Sequence, residues 1–164
     1  MRESQPGIPN VGKRTRAREL AMQALYQLDV QGDDILGSLD RFFNENEPDG
    51  VVVKLARQWT GGTWRNLMRC DEMIESAAVR WKVSRLSPVD RSILRLSAYQ
   101  LGFCEDIPPA AVINEAIELA KKFSTSQSGG FVNGVLDAVL RKIAPDTGDR
   151  GHLEKEFRDD KAEE

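Results

Sequence analysis

The sequence predicts an all-α protein. Apolar residues recur at helical spacing in seven successive segments between residues 13 and 143, and the alternation of apolar and polar residues that is typical of strands is absent. The chain has 164 residues, of which 40% are hydrophobic. This is enough for one compact domain, or for two small subdomains that share a helix.

The first predicted helix spans residues 13–31. Gly32 is expected to end this helix in the left-handed conformation, and Asp33 or Asp34 to cap a second, shorter helix that breaks within residues 44–48. One face of the first helix is apolar over its whole length, which predicts that this face lies in the core. That face comprises Ala17, Leu20, Ala21, Ala24, Leu25 and Leu28.

Pro48 is expected to open a long third helix. The adjacent Gly61 and Gly62 weaken this helix, so the pair indicates a bend or a close approach of another helix. A fourth apolar series, with its last member at Trp81, predicts a fourth helix over residues 70–81.

A strong helix start follows, with Ser87 as the cap, Pro88 at the first helical position and Asp90 at the third. The helix it begins is apolar on most sides, so we expect it to be the central buried helix of the second half. A sixth helix follows residues 106–109, and Glu118 on it is placed to pair with Lys122. Residues 124–130 are expected to form a polar loop before the last helix, which is predicted at residues 131–143.

The charge is distributed unevenly along the chain. Residues 1–12 are predicted to be a flexible arm that leads into the basic start of the 13–143 helical domain, and residues 144–164 a charged tail. From residue 145 onward eight acidic residues oppose four basic ones, whereas the whole chain has a net charge of −3. The rest of the chain is therefore slightly basic, and overall acidity does not argue against a nucleic-acid partner.

The sequence lacks the residues that several classes of protein require. No apolar run is long enough for a membrane span or a secretory signal, so we expect a cytoplasmic protein. Cys70 and Cys104 are expected to be buried free thiols, and His152, the single histidine, leaves neither a catalytic triad nor a zinc site. Glu115 and Glu118 are interpreted as part of a solvated helix face. No enzyme, cofactor or metal is predicted.

The candidate binding residues are cationic and aromatic. A basic cluster at the start of the first helix can lie along a phosphate backbone, or can simply keep a charged helix start soluble. Its members are expected to keep their charges in water, and they are Lys13, Arg14, Arg16 and Arg18. Tyr26 lies opposite the apolar face and could stack on an unpaired base or be buried by a second layer, and the same alternatives apply to Phe131.

Four segments of the sequence carry a recognisable pattern: RARELAMQALY at 16–26, LSPVDRSILR at 86–95, VINEAIELAK at 112–121 and FVNGVLD at 131–137. Together they resemble the NusB family of transcription antitermination factors, over about residues 13–143. The resemblance implies two small helical bundles in one compact domain, and no catalysed reaction. It also implies binding to the boxA element of ribosomal RNA leader transcripts with ribosomal protein S10, within an RNA polymerase antitermination complex.

The resemblance also assigns residues. It makes the basic cluster and two aromatic residues RNA contacts, with Asn133 beside Phe131, and makes Asp90 the contact to ribosomal protein S10. Thr15 and Gly130 stand where relatives often have a basic residue, and each change could remove one phosphate contact. The RNA contacts so assigned are Lys13, Arg14, Arg16, Arg18, Tyr26, Phe131 and Asn133.

Two alternatives stay open at this point. The chain could be an interaction module of the same fold that serves a separate enzyme acting on ribosomal RNA. It could also be a homodimer in which the basic start and Tyr26 are buried by a second copy. The sequence does not distinguish a monomer from a homodimer.

Overall fold

The structure, a computed structural model, describes residues 9–145, and these form seven α-helices, two short 3-10 helices and no strand. The predicted all-α class is confirmed. Residues 1–8 and 146–164, which hold most of the predicted arm, most of the predicted tail and His152, lie outside the described residues. The helices are α1 Pro9–Gln31, α2 Leu39–Asn46, α3 Gly50–Arg65, α4 Leu67–Ala77, α5 Pro88–Phe103, α6 Pro109–Phe123 and α7 Ser128–Ile143.

The helices pack as two small bundles around α5. Helices α1, α2 and α3 form the first bundle and α4 to α7 the second, while α5 also packs against α1 and α3. One continuous apolar core passes through both bundles, and Ile93, Leu94, Leu96 and Ala98 of α5 are completely or almost completely buried in it. The prediction of α5 as a central buried helix is therefore confirmed.

The ends of α1 differ in part from the prediction. The helix begins at Pro9, four residues before the predicted start, so the last part of the expected arm is helical. It ends as predicted at Gly32, whose N–H donates to the carbonyl of Leu28 at 2.8 Å. Gly32 has φ 84° and ψ −175°, so it uses the positive φ that favours glycine but not the predicted αL conformation.

The second predicted helix is divided. Asp33–Ser38 is a 3-10 helix, and the hydroxyl of Ser38 donates to the carbonyl of Ile35 at 2.9 Å, which competes with continued α-helix. Asp33 does not cap a helix but accepts a hydrogen bond from the indole of Trp64 at 2.8 Å. Helix α3 begins at Gly50 rather than Pro48, because the carboxylate of Asp49 caps it.

The predicted boundaries around α4 and α7 also need correction. Helix α4 ends at Ala77, so Trp81 lies in the connection to α5 and is 52% exposed instead of belonging to a buried stripe. Helix α7 begins at Ser128 and includes Gly129 and Gly130, which the prediction placed in a loop. Both errors arise at helix ends, where local packing decides how far the helix continues.

The described cysteines are free thiols, as predicted, but only one is fully buried. Cys70 on α4 is completely buried, and Cys104 after α5 is half-buried. Burial raises the pKa of the Cys70 thiol to about 12, so this side chain stays protonated at neutral pH. No helix in the range 9–145 is long and apolar enough to cross a membrane.

Gly62 confirms the predicted close approach of another helix. A Cβ atom at Gly62 would overlap the hydroxyl and ring of Tyr99 on α5. Tyr99 stacks on Phe103, with ring centroids 5.4 Å apart, so its ring cannot move aside without losing that contact. At Gly61 the nearest atom to a Cβ would be the end of the flexible Arg65 side chain.

We expect Gly62→Ala to lower the free energy of unfolding by about 2 kcal/mol, because the methyl group overpacks the α3–α5 contact. The matched control is Gly61→Ala, which should be neutral or stabilising by up to about 1 kcal/mol through helix propensity. Urea denaturation followed by circular dichroism measures both. Equal stability of the two variants would show that the Tyr99 side chain moves aside without a loss of free energy of unfolding.

Candidate nucleic-acid interface

The basic cluster lies on the first turns of α1, where each of its members pairs with an acid from another part of the chain. Lys13 Nζ lies 3.1 Å from Asp49 Oδ2, at the cap of α3. Arg14 Nη2 lies 3.4 Å from Asp106 Oδ2, before α6. The cationic side chains are each 35% exposed, so both charges face solvent in part and are partly neutralised.

Arg16 has the most partners of the exposed cations. Its guanidinium contacts Glu19 at 3.0 Å and Glu47 at 3.1 Å, and it donates to the backbone carbonyl of Asn46 at 3.0 Å. The side chain remains 34% exposed. Lys13, Arg14 and Arg16 therefore reach the surface as expected, but each is paired with acids that the sequence did not reveal.

These surface pairs are weak enough to exchange. Partly exposed ion pairs contribute roughly 0–1 kcal/mol each, since water and salt screen them. Hydrogen bonds from Lys13 and from the N–H of Val51 lower the pKa of Asp49, so its carboxylate stays charged at neutral pH. An RNA phosphate approaching this end of α1 would thus compete with carboxylates for the same cations.

Arg18 is buried, contrary to the expectation that it keeps its charge in water. Only 3% of the residue is exposed, and its Nε donates to Gln100 Oε1 at 3.2 Å. Its Nη1 lies 3.6 Å from Glu115 Oε1, and its guanidinium lies 5.1 Å from the ring centroid of Trp59. Desolvation lowers the pKa of Arg18, and Glu115 opposes that effect.

The error has a physical cause. Arg18 lies at the border of the apolar face of α1, and α5 and α6 both pack against that helix, so they enclose this border. A helical wheel of one helix does not show where its neighbours lie. We therefore place Arg18 in the core rather than on the proposed RNA surface.

Thr15 and Glu115 form a contact that the sequence does not reveal. The hydroxyl of Thr15 donates to Glu115 Oε1 at 2.6 Å, across 100 residues of sequence. Glu115 is consequently half-buried against α1, and its predicted place on a solvated face is wrong. Thr15 thus orients the carboxylate that faces Arg18.

The solvated pairs of α6 also differ from the prediction. Glu118 pairs with Lys121 at 3.5 Å instead of Lys122. Lys122 reaches Glu19 on α1 at 3.0 Å, and its ammonium lies 5.4 Å from the ring centroid of Phe123. This contact brings the C-terminal end of α6 against α1.

The candidate aromatic residues both reach the surface. Tyr26 lies on the outer side of α1 and is 39% exposed, so no layer formed by residues 9–145 buries it. Phe131 is half-buried in the first turns of α7 and packs edge-on against Trp81, with ring centroids 5.4 Å apart. Asn133 is half-buried on the same helix. Sequence analysis missed the contact with Trp81, because it placed that residue in a buried helix.

Asp90 connects the start of α5 to the segment before α7. Its N–H donates to Ser87 Oγ at 3.2 Å, which confirms the predicted cap. Its carboxylate accepts hydrogen bonds from Ser124 Oγ at 2.7 Å and from Ser128 Oγ at 3.3 Å. Asp90 is half-buried, and these two hydrogen bonds join the start of α5 to the first residue of α7 and the segment before it.

Comparison with known proteins identifies the family. The sequence profile of the NusB family matches residues 15–141. Transcription antitermination protein NusB of Anaeromyxobacter dehalogenans is 45% identical over 134 residues, 81% of this chain and 94% of that protein. The T. maritima NusB structure matches with a TM-score of 0.72 and 38% identity, over 79% of this chain and 91% of the other.

A second solved structure matches equally well. A crystal structure of antitermination factors NusB and NusE in complex with double-stranded RNA has a TM-score of 0.73 at 28% identity, over 80% of this chain and 98% of the other. The fold and these similarities define an all-helical transcription antitermination factor. More particularly, the chain belongs to the NusB family, as the resemblance predicted.

We expect Arg18→Ala to lower the free energy of unfolding by about 3 kcal/mol, since Glu115 and Gln100 lose a buried partner. The control is Arg16→Ala, whose partly exposed pairs should cost only about 1 kcal/mol. Urea denaturation measures both values. A loss for Arg18→Ala no larger than for Arg16→Ala would contradict a structural role for Arg18.

Proposed function

We propose that this protein binds the boxA element of ribosomal RNA leader transcripts together with ribosomal protein S10, as part of an RNA polymerase antitermination complex. The main observation that supports RNA binding is a row of partly exposed cations at the start of α1, formed by Lys13, Arg14 and Arg16. The similarity to a NusB structure solved with double-stranded RNA and NusE, which is ribosomal protein S10, supports the choice of these two partners.

The proposed RNA contacts divide into two kinds. The three cations meet phosphates, which replace the carboxylates that now neutralise them. Tyr26 and Phe131 offer ring surface on which unpaired bases stack, and Asn133 lies near Phe131 in sequence to read a base edge. Arg18 supports this surface from inside the core by fixing the start of α1.

The proposed contact to ribosomal protein S10 involves Asp90. Its carboxylate already binds two serines, so a partner must use its remaining acceptor capacity or the segment that those serines shape. The proposed function requires no chemical reaction. Within the described residues no group of acidic, cysteine or histidine side chains could hold a metal ion.

The direct test is a titration of a labelled boxA oligoribonucleotide with the protein, alone and with ribosomal protein S10, at several salt concentrations. We expect tighter binding of boxA than of a scrambled oligonucleotide of the same length, with S10 increasing the difference. Equal affinity for both sequences under every condition would reject the proposal.

The acids that neutralise the basic start should compete with RNA. We expect Glu47→Gln and Asp49→Asn each to tighten RNA binding by about three- to tenfold at low salt, because a cation is released for phosphate contact. Both changes keep the oxygen acceptors that bond backbone N–H groups in this turn. The control is Asp40→Asn, which removes an equal charge from a pair with Arg57. An equal gain from Asp40→Asn would indicate only a change in net charge.

Asp90 can act directly or through its two serines. We expect Asp90→Asn to weaken binding of ribosomal protein S10 by about tenfold, while RNA binding by the protein alone changes little, because a charged partner loses its counterion. Ser128→Ala is the matched variant, since it removes one of the two hydrogen bonds to the Asp90 carboxylate, together with the contacts of Ser128 to Ser124 and Thr125, and keeps the charge. An equal loss in both variants, measured by calorimetry, would contradict a direct contact and assign Asp90 the role of shaping the segment.

A further inference from the structure

An aromatic corner lies at the junction of α4 and α7. The connection after α4 leaves Val79 89% exposed and Trp81 52% exposed. The Trp81 ring meets the Phe131 ring at 75°, so the two rings stand nearly perpendicular. A flat ligand can therefore stack on one of these rings while its edge meets the other.

The corner opens onto a cleft of about 430 Å³. Gly130 and Gly134 lie one turn apart on α7 beside Phe131, and a Cβ atom at either position would have no atom within 4 Å. This part of the helix therefore leaves space that side chains would otherwise fill. The volume lies within the range of small-ligand sites, roughly 300–1,000 Å³.

The charge of the residues that line the cleft limits the kinds of ligand that fit it. Among the described residues that line the cleft, Arg80 is the one that carries a charge, and the others are apolar, aromatic or glycine. An aromatic ligand that carries negative charge fits this composition, because the rings supply stacking surface and the guanidinium meets an anion. A nucleotide has both properties, whereas an apolar peptide would leave Arg80 without a counterion.

We propose that this cleft binds one unpaired nucleotide of the RNA, with its base stacked in the corner of Trp81 and Phe131 and a neighbouring phosphate at Arg80. The inference rests on the proposed function and adds Trp81, Arg80 and the open face of α7 to it. Gly130 thereby acquires a role of its own: a basic side chain at this position would extend into the cleft.

The test fills the cleft without removing a ring. Gly134→Leu places a side chain in the open space, and leucine also favours the helix more than glycine does. Gly37→Leu is the matched control, because Gly37 likewise has open space around it but lies in the 3-10 helix at residues 33–38. Trp81→Ala is the second variant, and it changes an exposed side chain in a connection rather than in the core.

The measurement is the affinity for a single-stranded boxA oligoribonucleotide over a series of salt concentrations. Gly134→Leu and Trp81→Ala should each bind about tenfold more weakly with an unchanged salt slope, because stacking releases no counterions. Arg80→Ala should reduce the salt slope by about one. Gly37→Leu should bind like the parent. Circular dichroism confirms that each variant is folded.

Two results would overturn the inference while leaving the proposed function in place. One is parent-like RNA affinity in both Gly134→Leu and Trp81→Ala, with the parent itself binding RNA. The other is a loss of affinity for ribosomal protein S10 while the affinity for RNA stays unchanged, which would make the cleft a protein site. Failure of the parent to bind RNA would reject the proposed function and this inference together.

Discussion

The attachment of α1 to α5 at two points is the constraint on which the rest of the structure depends. At one end Arg18 donates to Gln100, and at the other Asp29 accepts from Arg91 and Arg95 at 3.0 Å each. The two helices must therefore lie antiparallel and in one register. These arginines are largely buried, and a buried charge without a partner destabilises the fold. Another orientation of α1 would therefore leave buried charge uncompensated.

The second attachment also includes α4. Arg95 binds both carboxylate oxygens of Asp71 at 2.8 and 2.9 Å. Burial disfavours the charge of Arg95, but its hydrogen bonds to Asp71 and the nearby Asp29 raise its pKa above the ordinary value. One arginine thus connects helices from both bundles, and the outer face of α1, including Tyr26, points away from them.

The position of α1 in turn decides the electrostatics of the proposed interface. Because the start of α1 lies against the turn at residues 46–49 and the segment before α6, acids from both places meet its cations. The sequence of this surface is basic, but contacts with acidic side chains neutralise most of its charge. In the RNA binding that we propose, phosphates would replace carboxylates at this site, so partners would be exchanged rather than charge added to an open patch.

The sequence by itself determined the helices, the central place of α5, the cap at Ser87 and the close approach at Gly62, because periodicity and capping are local properties. Only the tertiary structure decided that Arg18 and Glu115 are enclosed, that acids neutralise the basic start and that Trp81 meets Phe131. Those contacts join residues between 31 and 100 positions apart, or depend on where a helix ends. No single helix contains the information about which neighbour covers its border.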